Sequence, residues 1–108
     1  MKIVDIKYTT TDGVMKSTTL TCVDRCYEVY SHNSRELILQ VSAEIEDTIM
    51  EELMRGTTDS ILLKEPIEDG YNEKLIDNYS HIKTISKEYD NLLNDKYVIY
   101  YHVSFEAE

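Results

Sequence analysis

Residues 3–22, IVDIKYTTTDGVMKSTTLTC, leave the chain little freedom. Val4, Ile6 and Tyr8 fall on one face at a period of two, the repeat of a half-buried strand. Asp12-Gly13 then supplies a turn that needs positive φ. The return run is rich in β-branched residues, which suit a pleated surface. The chain therefore opens as a β-hairpin, and the remaining residues must cover its apolar face.

The next stretch points to a helix. In NSRELILQVSAEIEDTIMEELMRG, residues 33–56, Asn33 or Ser34 can cap the first turn and Gly56 can close the last. At about 100° per residue, Ile38, Val41, Ile45, Ile49 and Leu53 share an arc of roughly 120°. Glu36, Gln40, Glu44, Asp47 and Glu51 share the opposite side. The pattern predicts a helix of about 21 residues, about 30 Å long, with one dry and one acidic face. Before it, CYEVYS, residues 26–31, reads as a third strand or a helical turn after a turn at Asp24-Arg25. After it, SILLKEPI reads as a short strand with Pro66 at its end or on an edge. From Asn72 to Asn94, Leu75, Tyr79, Ile82, Ile85, Tyr89, Leu92 and Leu93 recur at helical spacing and predict a second helix, either continuous or broken near Ser80-His81. YVIYYHVSF is the last strand, with Tyr97, Ile99, Tyr101, Val103 and Phe105 on its core face.

These readings make residues 1–108 one small α+β domain of order ββ(β)αβαβ. A mainly antiparallel sheet would carry two helices packed on one face. No linker, repeat or low-complexity tract interrupts the chain.

Charge narrows the function classes. The formal net charge is −10. Residues 36–80 hold twelve of the 21 acids and only three of the 11 bases. That balance disfavours direct contact with nucleic acid or an anionic membrane. No apolar run approaches the roughly 20 residues needed to cross a bilayer. The first ten residues meet Asp5 early and do not read as a signal peptide. A cytoplasmic location is the resulting expectation. There Cys22 and Cys26 are expected as free thiols.

Catalytic signatures are weak. Cys22-x3-Cys26-x5-His32 has admissible zinc spacing but no second ligand pair. Cys26 with His32, His81 or His102 forms a dyad only if the fold gathers them. The glycines are isolated, so no phosphate-cradling loop exists. The reading is a non-enzyme without cofactor or metal.

The acids are the remaining feature. SAEIEDTIMEE, residues 42–52, carries five carboxylates and no base. Opposite charges at i,i+4 would balance such a face, and Glu44 and Asp47 have none. Carboxylates along a rigid helix can imitate phosphates and occupy a basic groove. In size, charge and tyrosine content the chain resembles small acidic proteins of phages and mobile elements. That resemblance implies action against CRISPR effectors, restriction enzymes or repair enzymes. The expected partner is a basic surface of a nucleic-acid-handling protein, bound through Glu36, Glu44, Asp47, Glu51, Glu65, Glu68 and Asp69. Tyr71 or Tyr100, if exposed, would add apolar contact. Two alternatives stand beside it: a structural or assembly protein forming a homodimer or larger homo-oligomer through a sheet edge, and a small enzyme or ligand-binding domain.

Overall fold

The computed structural model describes the backbone of residues 2–92 and 96–108, and their side chains except at 24 and 89–98. Its elements run β1 (Ile3–Thr9), β2 (Met15–Tyr30), β3 (Arg35–Ser42), α1 (Asp47–Arg55), β4 (Thr57–Ile67), β5 (Gly70–Ile76), β6 (Ile82–Leu92) and β7 (Lys96–Glu106). All pairings are antiparallel, in the order β5-β4-β1-β2-β3-β7-β6. Strand accounts for 66% of the chain.

The opening hairpin forms as its alternation requires. Val4, Ile6 and Tyr8 are buried on the inner face, and Gly13 takes φ of 84° in the turn. β2 then runs on for 16 residues. Its first part pairs β1 and its second part pairs β3, so one strand belongs to both halves of the sheet. The expected turn at Asp24-Arg25 is instead a bulge between Cys22 and Cys26, and 26–31 continues the strand to Tyr30.

The two-helix α+β reading is overturned: the described residues form a seven-stranded antiparallel sheet with one short helix. Residues 35–42 carry two competing apolar patterns. The helical one uses Ile38 and Val41, and the strand one uses Leu37, Leu39 and Val41. The strand pattern wins because β2 and β7 flank this segment and satisfy its backbone on both sides. Leu37, Leu39 and Val41 become fully buried. Only Asp47–Arg55 remains helical.

The second predicted helix is absent for a similar reason. Residues 72–76 belong to β5 and 82–92 to β6, with a crossing at 77–81 where Asn78 adopts φ of 75°. A helix cannot pass through that residue. Leu75, assigned to a helix core, is exposed on the outer side, whereas Tyr79, Ile82 and Ile85 do reach the core. Leu93 and Asn94, and the side chains of Tyr89 and Leu92, lie outside the described residues. β4 and β7 occupy the strands expected for them. Pro66 sits beyond the last β1–β4 pair among the described residues, where β4 pairs with β5. Within β7, Tyr101, Val103 and Phe105 are buried, but Ile99 is exposed.

The core lies on the inner face, where residues from both halves of the sheet meet. α1 lies against β4 and β6 and inserts Met50 and Leu53. Gly56 ends it at a tight crossing. A Cβ there would stand 2.4 Å from the Thr9 carbonyl oxygen, so only glycine fits. No helix among the described residues is long and apolar enough to cross a membrane.

The two cysteines are also corrected. Cys22 and Cys26 are disulfide-bonded, not free, and both are buried in the core cluster. The bulge brings them together: β2 advances four residues while β3 advances two, from Val41 to Leu39.

Candidate binding surface

The acids expected along one helix are dispersed by the fold. Glu36 lies on β3 and pairs with Lys83 at 2.8 Å. Glu44 is exposed in the turn before α1, its backbone N–H donating to Ser42 Oγ at 3.2 Å. Asp47 opens α1, accepts a hydrogen bond from Tyr101 and lies 3.7 Å from Lys87. Glu51, one turn later, is exposed. Glu65 is near the end of β4, and Glu68 and Asp69 form the β4–β5 turn. Thus Asp47 and Glu51 keep the helical neighbourhood the sequence implied, while Glu36 leaves it.

A different grouping replaces the row. Glu44 and Glu65, far apart in sequence, both line one cleft of about 840 Å³ with Lys2, Thr21, Cys22, Val23, Ser42 and Pro66. Glu65 continues to Glu68 and Asp69, and Glu44 continues to Asp47 and Glu51. The sheet therefore brings one acid from the end of β4 and one from the turn before α1 to the same opening, while Asp47 and Glu51 line another cleft with Met50, Met54 and Tyr101.

The lysines are mostly engaged elsewhere. Lys16 holds Glu52 at 2.9 Å, and Tyr8 donates to the same carboxylate. Those bonds keep the Glu52 carboxyl below its usual range and the Lys16 ammonium above its own. Lys64 bonds Asp5 at 2.9 Å, which lowers the Asp5 carboxyl, helped by Thr19. Lys83 is raised by its bond to Glu36. Among the described residues, Glu44, Glu51, Glu65, Glu68 and Asp69 form no ion pair.

A second polar group, missed by the sequence reading, lies inside. Glu28 is nearly buried and accepts from Tyr79 Oη at 3.0 Å. Arg35 Nε stands 3.5 Å and Lys74 Nζ 3.6 Å from it. Arg35 also stacks over the Tyr79 ring and donates to the Asp77 carbonyl. Burial, then the bond to Glu28, pushes the Tyr79 hydroxyl up to about 12. The cluster joins β2, β3 and β5 to the 77–81 crossing, and it is a closure of the fold. The alternation of Glu28 with Cys26 was its only sequence signal.

The remaining expected sites resolve plainly. The disulfide removes Cys26 from nucleophile chemistry and both sulfurs from zinc ligation. Among the described residues no group of three His, Cys, Asp or Glu side chains could hold a metal. His81 contacts Ser80 at 2.9 Å, and His32 is exposed in the β2–β3 turn. Of the two tyrosines, Tyr71 is half exposed beneath Lys64, as an adhesive contact would need. Tyr100 is buried and donates to Glu88, so it is withdrawn from that role. Compared with protein-family models, with curated proteins and with solved structures, the chain matches none.

Proposed function

We propose that this is a non-catalytic binding protein whose acidic surface docks on a basic surface of a nucleic-acid-handling protein and inhibits it. One observation supports the reading. Glu44, Glu51, Glu65, Glu68 and Asp69 are exposed without ion pairs among the described residues, while Lys16, Lys64, Lys83 and Lys87 are held by other acids. A single-sign patch left uncompensated costs stability by self-repulsion and favours a partner of opposite sign. The idea of phosphates imitated along one long helix loses its scaffold. Its replacement is the Glu44/Glu65 cleft, with Glu51, Glu68 and Asp69 exposed on the adjoining α1 and β4–β5 turn segments of the chain and Tyr71 after the turn as the apolar contact.

Such a partner works in the cytoplasm, and a cytoplasmic location belongs to the proposal. The Cys22–Cys26 bridge weighs against it, because structural disulfides persist chiefly in oxidising compartments.

Affinity capture from a bacterial lysate tests the reading. Wild type is compared with a variant carrying Glu44→Gln, Glu51→Gln, Glu65→Gln, Glu68→Gln and Asp69→Asn. The expected result is a basic nucleic-acid-binding partner lost with the variant, with rising salt and with competitor DNA. A partner indifferent to all three removes these acids from the interface.

A second reading rests on β5. It is an edge strand, exposed from Gly70 to Leu75, with Tyr71 and Leu75 more than half exposed. Such an edge can pair with a second copy of the chain. Light scattering that gives a dimer abolished by Leu75→Lys supports that reading, and a monomer excludes it.

A further inference from the structure

We infer that the Cys22–Cys26 disulfide is a thiol–disulfide exchange site, entered through Cys22 from the Glu44/Glu65 cleft and selective against anionic thiols. The inference is independent of the docking proposal.

Three observations carry it. The first is position. The bridge spans the bulge at which β2 leaves its pairing with β1 and joins β3. Opening it removes a covalent tie at the joint between the two halves of the sheet. The Cys22 N–H, bonded to the Lys2 carbonyl at 2.9 Å, ties the chain start to the same joint.

The second is access. Both cysteines are nearly buried, at 7% and 5% exposure. Cys22 nevertheless lines the cleft, and Cys26 is not among the residues lining it. An attacking thiolate approaches along the S–S axis, and the proposal places its entry at Cys22, the cysteine that lines the cleft, with Cys26 as the leaving group. Cys26 pairs with Leu39, a fully buried residue of the core cluster.

The third is charge. The ionised groups lining the cleft are Lys2, Glu44 and Glu65, a formal net of one negative charge. That sum disfavours an anionic thiol such as glutathione and favours a cationic one such as cysteamine. At about 6 Å and the dielectric of water, two units of difference in the charge of the incoming thiol correspond to roughly tenfold in rate.

The chemistry balances with a small thiol as reductant. The first thiolate attacks Cys22 Sγ; a mixed disulfide forms at Cys22 and Cys26 departs as a thiolate. A second thiolate attacks the sulfur of the bound thiol and releases the oxidised small disulfide, leaving Cys22 as a thiolate. Two thiols together supply two electrons.

The test uses the intact, oxidised protein. Opening rates are measured with cysteamine, 2-mercaptoethanol and glutathione, each corrected for its thiolate fraction, and the adduct is located by acid-quenched peptide mapping. The expected order is cysteamine, then 2-mercaptoethanol, then glutathione, spanning roughly tenfold, with the adduct on Cys22. Glu44→Gln alone brings the cleft to zero net charge and is expected to bring glutathione close to cysteamine, whereas Glu44→Gln with Glu65→Gln leaves Lys2 alone and is expected to put glutathione ahead. Equal rates for the three thiols would overturn the proposal. So would an adduct on Cys26, or opening at the rate of global unfolding measured in urea, which would mark the bridge as a sealed clip.

Discussion

Glu28 and the acids of the β4–β5 turn carry the same functional group and live under opposite rules. Glu28 is nearly buried and is held by Tyr79, Arg35 and Lys74. Glu65, Glu68 and Asp69 are exposed and form no ion pair among the described residues. A carboxylate taken from water must be hydrogen-bonded and paired, and its loss leaves charged neighbours behind. A carboxylate left in water needs nothing from the fold, and it is free to answer to a partner. The contrast separates the acids that close the molecule from those that face outward.

The contrast breaks most visibly at Tyr79. Tyr79→Ala removes a buried ring that packs edge-on against Phe105 and donates to Glu28. It is expected to cost about 3–5 kcal/mol in chemical denaturation. Tyr79→Phe keeps the ring and is expected to cost about 1 kcal/mol. Equal losses for the two variants would mean the hydroxyl carries the whole effect.

Removing the bridge in β2, the strand that carries Glu28, calibrates that figure. Cys22→Ala with Cys26→Ala opens a very short loop, and chain entropy assigns about 2 kcal/mol to its closure. A much larger loss in urea unfolding would show that the bulge depends on the bridge for its shape.

Alkaline pH probes the buried cluster once Tyr79→Phe is used to subtract the other groups raised in the same range, Tyr8, Lys16, Lys64 and Lys83. The Tyr79 hydroxyl ionises near 10.0 when unfolded and at about 12 in the folded protein. The raised value means the folded state keeps its proton more tightly. The contribution is therefore complete below pH 10 and is lost as pH climbs toward 12, by at most about 2–3 kcal/mol. Urea midpoints measured across that window should fall faster for wild type than for Tyr79→Phe.

The hairpin acids should show the smallest effect. Glu65→Gln, Glu68→Gln and Asp69→Asn together are expected to change stability by about 0.5 kcal/mol or less, toward greater stability at low salt. Thermal melts at two ionic strengths check it. A loss above about 1 kcal/mol would place these acids in the fold, not on a docking surface.

Much of the sheet was legible. The Val4, Ile6, Tyr8 alternation with Asp12-Gly13 and the run ending in Phe105 each have one period and one strong turn or terminus. Residues 35–42 and 72–92 were not. In 35–42 the apolar residues satisfy both a 3.6 and a 2.0 repeat, and in β6 Ile82 and Ile85, three apart, keep helical spacing and both reach the core across a register shift between Ile82 and Thr84; the flanking strands that decide lie far away in sequence. Ile38 and Val41 read as one helical stripe, yet Leu37, Leu39 and Val41 are what the neighbouring strands bury. Asp47 and Glu51 were placed on a helix, and they are. Glu44 beside Glu65 was invisible, because only the path of β2 across both half-sheets brings their segments to one opening.

By itself the sequence determined the opening hairpin, the closing strand, the acidic excess between residues 36 and 80 and the want of a long apolar span. These are local periodicities and sums, which need no partner segment. Tertiary structure alone decided that Arg35–Ser42 is a strand, that Cys22 meets Cys26 across a bulge, and that Glu28 turns inward to Tyr79 while Glu65 stays in water. Each depends on which backbone lies alongside and whether water remains, and those are properties of the assembled sheet.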